Sequence, residues 1–327
     1  MLELLYGDTG DGYLAKIAVE LDRALARRDV NGAPGQITAR MLACGDGWTV
    51  EDVVCTSSPR DRPFEERHSH YAIAIVGAGS FQYRSQARSG AGRELMTPGS
   101  LLLGNAGQCF ECGHEHGAGD RCLSFRYAPN YFESLAADTV ALGAKPEFRT
   151  LRLPPLRALS PLLARACAGL ARGVDMPWEE IGVQLAAQTV QLAGGVDDRS
   201  ATPPGAMARV TRIVRTIDRH PDARLTLGSL AREAGLSPFH FLRMFERVTG
   251  VTPHQYILRA RLREAAMQLA DPEAKVLDIA FDCGFGDLSN FNHAFRAEFG
   301  VSPRAYRRHF SKSSAAPIGR YARLQPR

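Results

Sequence analysis

"GLSPFHFLRMFERVTGVTP" (residues 235–253) and "GFGDLSNFNHAFRAEFGVSP" (residues 284–303) are two versions of one pattern. Each has a glycine and an apolar residue, a polar starter, an aromatic-rich stretch, then glycine and Ser/Thr-Pro. The starter in the first copy is Ser237, a natural N-cap, followed by Pro238, which is preorganised for the first helical position. Phe241, Met244, Phe245 and Val248 then recur at three- and four-residue spacing and predict one buried helix face. The preceding "TLGSLAREAGLS" predicts a short helix over 227–233 that breaks at Gly235. Two helices joined by a tight glycine turn make a helix-turn-helix, whose second helix can enter a DNA major groove.

The second copy keeps the arithmetic. Leu230, Ala231, Ala234, Gly235 and Leu236 return 49 residues later as Ile279, Ala280, Cys283, Gly284 and Phe285. Phe241, Phe245, Gly250, Pro253 and Tyr256 return 50 residues later as Phe291, Phe295, Gly300, Pro303 and Tyr306. The second turn has therefore gained one residue, and Asp287 takes the N-cap. Between the copies, "PHQYILRARLREAAMQLA" reads as a long helix with an apolar and a basic face. Ahead of them, Met207, Val210, Ile213, Val214 and Ile217 mark one more amphipathic helix.

Charge divides the chain at the same place. Residues 206–327 hold 20 Lys/Arg against 11 Asp/Glu, a net of +9, whereas residues 1–205 hold 20 against 24, a net of −4. A basic module for a polyanion joined to a near-neutral module is the expected reading. The 45% hydrophobic and 23% charged content suits a soluble globular protein. No run of about 18 apolar residues predicts a membrane span, and "MLELLYGDTGDGYLAK" lacks the features of a secretory signal. Seven scattered cysteines fit a reducing compartment, so a cytoplasmic location is expected.

On these residues, and on "DIAFDCGFGDLSNFNHAFRAEFGVSPRAYRR" above all, residues 206–310 resemble the DNA-binding domain of the AraC/XylS family of bacterial transcription regulators. The resemblance implies double-stranded DNA as partner, with the two motifs of one protomer reading successive major grooves about one helical turn apart. It also implies contact with RNA polymerase and a homodimer. By position in the family motif, Phe239, Leu242 and Arg243 in the first copy and Ser289, Asn290 and His293 in the second match the base-facing set. Arginine can bond guanine bidentately, asparagine favours adenine, and Phe239 or Leu242 can touch a thymine methyl. Arg247 and Arg296 lie on the same outward faces and suit phosphate contact.

The rest of the chain is expected to form a sensor or oligomerisation unit, giving an α+β protein overall. After a helix-like "YLAKIAVELDRALARR", the segments "WTVEDVVCTS", "HYAIAIVGAGSFQYRS", "RELMTPGSLLLGNAG" and "RCLSFRYAP" alternate and are broken by Gly, Pro and Ser, as in a sandwich or barrel. The pattern from His68 to Gly107 resembles the cupin-like effector domain of the same family. It departs from metal-binding cupin enzymes. No Glu follows His70 at the usual spacing, and Gln108 or Cys109 stands where a His is expected. The expected organisation is a cupin-like domain over 1–150, a helical pair over 151–195 that the family would use for dimer contact, a linker over 196–205, the DNA-binding domain over 206–310 and a basic tail over 311–327.

"QCFECGHEHGAGDRC" stands apart, because Cys109, Cys112, His114, His116 and Cys122 fall within fourteen residues, with His68 and His70 upstream. Thiolates and imidazoles are ligands for zinc and other transition metals. Alternation along a strand would put Cys112, His114 and His116 on one face. Cys109, Cys112, His114 and His116 are therefore candidate metal ligands, set against two small core cysteines and two loop histidines. An organic effector in the barrel mouth is the other candidate.

Two function classes compete. One is a regulator whose N-terminal part responds to a small molecule or metal. The other is a cupin-type metal-dependent enzyme with an appended helical domain. A DNA-repair fusion would need a Pro-Cys nucleophile, and the chain has none. The doubled helix-turn-helix favours the regulator, with no catalytic residue assigned.

Overall fold

The computed structural model describes residues 13–87, 90–137, 146–172, 176–194 and 205–313. The chain is α+β. Among the described residues, an N-terminal region of two antiparallel sheets and four α-helices precedes a helical C-terminal region.

Helix α1 (Tyr13–Asn31) leads into β1 (Ile37–Gly45) and β2 (Trp48–Cys55). Next come β3 (Phe64–Arg67), β4 (Tyr71–Gly79), β5 (Phe81–Ala87), β6 (Gly90–Met96), β7 (Leu101–Gly104), β8 (Cys109–Gly113) and β9 (Asp120–Tyr127). Helix α2 (Pro129–Ala136) and the two-residue strand β10 (Arg152–Leu153) follow. One sheet has the order β1-β2-β9-β4-β7-β10 and the other β3-β8-β5-β6. Side chains of both sheets share one buried cluster, with Ala74, Val76 and Cys122 of the first against Phe81, Tyr83 and Cys112 of the second. The sheets therefore face each other, as the alternating segments predict. The single segment read from His70 to Ser85 is two strands, because Gly79 turns at φ +74° between β4 and β5.

Helices α3 (Ser160–Arg172) and α4 (Trp178–Ala193) come next. They pack on the outer face of the larger sheet, in one cluster with Ile73, Leu123, Phe125 and Tyr127. The buried side chains of both helices are covered by their own chain. Burying this stripe, at about 25 cal/mol per Å² of apolar surface, is what fixes the helices to the sheet.

Helices α5 (Ala206–Arg219), α6 (Leu227–Glu233), α7 (Pro238–Thr249), α8 (Pro253–Gln268), α9 (Val276–Asp282), α10 (Leu288–Phe299) and α11 (Pro303–Ser313) complete the described residues. The linker reading over 196–205 falls almost wholly on residues 195–204, outside the described residues, and so does the tail from 314 onward. Helix α11 carries regular structure three residues past the expected boundary at 310.

The connecting helix α8 differs from expectation. Its second half is buried on nearly every side, Arg263 and Glu264 included, instead of presenting a basic face to water. The reason is that α8 packs against α1 and α3 as well as against both helix-turn-helix units. Among the described residues no helix is long and apolar enough to cross a membrane.

Candidate nucleic-acid interface

Each helix-turn-helix has its own core. Leu230, Ala231, Ala234, Phe241, Phe245 and Tyr256 are buried together in the first, and Ile279, Ala280, Cys283, Phe291, Phe295 and Tyr306 in the second. The residues that the repeat aligned are thus the ones that pack. Met244 is only half-buried, and Thr249 joins Val248 inside in its place.

The starts and stops follow local chemistry. The Ser237 hydroxyl accepts from the His240 amide at the start of α7, and the Asp287 carboxylate accepts from the Asn290 amide at 2.7 Å at the start of α10. Gly250 and Gly300 end the two helices at φ +84° and +75°, a left-handed conformation that costs other residues about 1–2 kcal/mol. Thr226 and Ser229 cap α6 reciprocally, and Thr252 and Gln255 do the same for α8.

With the aromatic face spent inside, the opposite faces remain in water. On α7, Phe239 is 62% exposed, Arg243 and Arg247 are exposed, and Leu242 is half-buried. The Arg243 guanidinium sits 5.7 Å from the Phe239 ring centroid, a cation–π spacing that holds both side chains on one outward patch. On α10, Ser289, Asn290, His293 and Arg296 are all exposed. His240 of α7 was not among the residues read from the motif. It shares the exposed N-terminal turn, its Nδ1 2.9 Å from the Ser237 hydroxyl. Its signal in the sequence is its place three residues after the cap, the first turn from which such helices meet base edges.

Both units are tied to the sheet region, by different devices. Arg152, 3% exposed, donates to the Thr249 and Val248 carbonyls at 2.7 and 2.9 Å and to the Glu94 carboxylate at 2.9 Å. A guanidinium on the last carbonyls of α7 complements the negative end of that helix. In the second unit Glu298 of α10 accepts from the Ser160 hydroxyl and pairs with Arg259 at 3.3 Å. Arg215 of α5 adds a third tie, donating to the Ala118 carbonyl at 2.8 Å and the Ser80 hydroxyl at 3.3 Å.

A cavity of about 220 Å³ lies between the sheets, its walls including Phe64, His68, Phe110, Ser124 and Arg126. His68 stacks on Phe110 with centroids 4.1 Å apart, and its Nε2 lies 2.7 Å from the Tyr83 hydroxyl. Burial, helped by the Arg126 charge, pushes its pKa down to about 4, so the imidazole is neutral at pH 7.

The four candidate metal ligands do not converge. Cys109 is exposed at the start of β8. Cys112 is buried and faces the cavity. His114 is buried, with Nε2 2.8 Å from Asp120 Oδ1. His116, half-exposed, lies beyond the end of β8 and borders a groove against the arginines of α5. Strand β8 stops at Gly113, so the alternation expected to align Cys112, His114 and His116 is not continued. What the structure brings together instead is Cys55, His114 and Asp120. Burial, with the Asp120 charge beside it, pushes the Cys55 thiol up to about 11.

Residues 230–309 match the model of a helix-turn-helix domain family. The regulatory protein SoxS of Salmonella typhimurium is 36% identical over 98 residues, which cover 30% of this chain and 92% of SoxS. The transcriptional activator RhaS of Klebsiella pneumoniae is 36% identical over 100 residues, 31% of this chain and 36% of RhaS, so the match spans little more than a third of that relative. Among solved structures, an AraC-type DNA-binding domain regulator from Chromobacterium violaceum is similar at 24% identity and TM-score 0.31, covering 34% of this chain and 98% of its own. Nearly the whole of SoxS is thus matched by this chain, and the chain belongs to the AraC/XylS family of transcription regulators.

Proposed function

We propose that this chain is a sequence-specific DNA-binding transcription regulator. The observation that carries the reading is the pair of exposed helix faces, Phe239/Arg243 on α7 and Ser289/Asn290/His293 on α10, each presented by a core of the same design. Base edges in a major groove are read by such short arrays of donors and apolar contacts. Arg247 and Arg296 supply phosphate contacts beside them, which position the helices without reading sequence.

In this reading the sheet region is the effector-responsive part. A small molecule in the inter-sheet cavity would change the hold of that region on the helices, through Arg152 at the end of α7 and Ser160 at Glu298. The protein works in the cytoplasm as a homodimer and engages RNA polymerase. The buried faces of α3 and α4 are turned inward, so a dimer contact there would use their polar faces, Glu179 and Gln184 among them. No enzymatic activity belongs to this reading.

The test is selection of bound sequences from random duplex DNA by the full chain, repeated with Arg243→Ala and Asn290→Ala. Each substitution should cost about 1–3 kcal/mol at the preferred site and relax preference at one base position. The two positions should lie about one helical turn apart. Equal weakening on all sequences would remove both residues from the readout. Failure to enrich any sequence would remove the function.

A further inference from the structure

The Cys/His-rich segment and its strand partners place three side chains of different chemistry in one buried corner. Cys55 ends β2, and Asp120, which starts β9, is its partner in the ladder. His114 enters from the β8–β9 connection and rests against Phe81. The Sγ of Cys55, a ring nitrogen of His114 and a carboxylate oxygen of Asp120 lie within 4.8 Å of one another, the only such group among the described residues. All three residues are no more than 5% exposed.

Two further observations point to a ligand. The Nε2 of His114, 2.8 Å from Asp120 Oδ1, is the ring atom that faces the group, and the buried Nδ1 on the far side of the ring has no hydrogen-bond partner to hold the imidazole away from it. Next to it, Cys122 places its Sγ 3.2 Å from the other Asp120 oxygen. Cys55, Asp120 and Cys122 all line the inter-sheet cavity, which gives the corner a way in from solvent.

We propose that Cys55, His114 and Asp120 bind one divalent transition-metal ion of borderline softness, zinc(II) being the type, with Cys122 beside it and a coordination position open to the cavity. The donor set is mixed sulfur, nitrogen and oxygen, which suits zinc and excludes the all-oxygen preferences of calcium and magnesium. Charge supports the same choice. A thiolate and a carboxylate bring two negative charges that a dication cancels, so the occupied site adds no net charge to a buried region. Distance does too, because ligand atoms around a tetrahedral zinc sit about 3.3–3.7 Å apart. The group closes to that by side-chain shifts within its present spread, with the His114–Asp120 pair opening by about half an ångström.

The experiment uses the full chain, purified without a histidine tag and stripped with a chelator, then titrated with cobalt(II) as a coloured probe for zinc. One equivalent should bind, with a thiolate-to-cobalt charge-transfer band and the intense visible absorption of four-coordinate cobalt, both erased by added zinc. Cys55→Ser should abolish the charge-transfer band or shrink it to what Cys122 alone supplies. His114→Ala and Asp120→Asn should weaken binding by more than the about 10–100-fold lost with an outer-shell partner. Cys109→Ser, on the exposed end of β8, should change neither band nor affinity. X-ray absorption of the zinc-loaded wild type needs no variant, and should show sulfur at about 2.3 Å and nitrogen or oxygen at about 2.0 Å. A sulfur-free shell, no stoichiometric binding, or a band that survives Cys55→Ser and vanishes with Cys109→Ser would overturn the site. DNA binding is not read in this test, so its outcome leaves the proposed function where it stands.

Discussion

The two helix-turn-helix units are built on one plan and finished differently. Their cores align residue for residue, and each borrows one side chain from the N-terminal region, Leu95 for the first and Ala164 for the second. Their turns and outward faces do not align. Gly235 turns at φ +67° in open space, whereas Gly284 turns at φ +79° pressed against the backbone of Asp222. The first face offers an aromatic ring and a guanidinium, the second hydroxyl, amide and imidazole groups. Packing has no tolerance for a changed ring, because each one fills a closed volume. A face in water carries no such constraint, and can diverge. The units share what packs and differ in what they present to water.

The strongest way to break that comparison is through the shared core. Phe245 and Phe295 are both fully buried and occupy matching positions. Phe245→Ala and Phe295→Ala should each destabilise the protein by about 3–5 kcal/mol, in denaturant titrations of the full chain. Near-equal losses would support one plan in two places. A loss under about 1 kcal/mol in either would mean that its unit does not depend on the ring the repeat singled out.

The turns should separate the units. Gly235→Ala meets nothing within 4 Å and pays only for the left-handed conformation, about 1–2 kcal/mol. Gly284→Ala pays the same and also sets a Cβ 2.6 Å from the Asp222 carbonyl oxygen. That carbonyl is on backbone that cannot easily withdraw. Arg261 pins the surrounding loop, donating to the Pro221, Ala223 and Gly284 carbonyls at 2.6, 2.8 and 2.9 Å. The second substitution should therefore cost more than the first by at least about 1 kcal/mol. Thermal unfolding of the two variants side by side checks it, and equal midpoints would show that the extra contact is relieved at no cost.

How much of this was legible follows from the same distinction between near and far. Helix starts at Ser237 and Asp287, stops at Gly250 and Gly300 and the buried rings are local facts, fixed by residues within one or two turns. Alternation exposed the central strands, yet β1, with seven of nine residues exposed, has no apolar face to announce it. The Cys/His corner shows the limit most clearly. Proximity in sequence suggested Cys109, Cys112, His114 and His116. The residues that meet His114 are Asp120, six places on, and Cys55, 59 places back, because the β2–β9 ladder sets Cys55 against Asp120. No window along the chain contains that pairing. Similarly, the charged residues of α8 read as a wet face until α1 and α3 are laid against them.

The smallest expected difference lies in the caps. Ser237 and Asp287 each accept an amide hydrogen bond at the start of an outward helix, but only Asp287 brings a negative charge to that positive helix end. Removing either cap by Ser237→Ala or Asp287→Ala should cost about 1 kcal/mol. Asp287→Asn keeps an acceptor oxygen and removes the charge, so it isolates the electrostatic part. That part should amount to about 0.3–1 kcal/mol at low ionic strength and fade as salt screens it. Ser237→Asn swaps one neutral cap for another and should show no such salt dependence. Stability measured at low and at high salt for the two asparagine variants compares them directly. If Asp287→Asn matched Ser237→Asn at every salt concentration, the charge at the start of α10 would contribute nothing to holding that helix, and the aspartate would be there only as a hydrogen-bond acceptor.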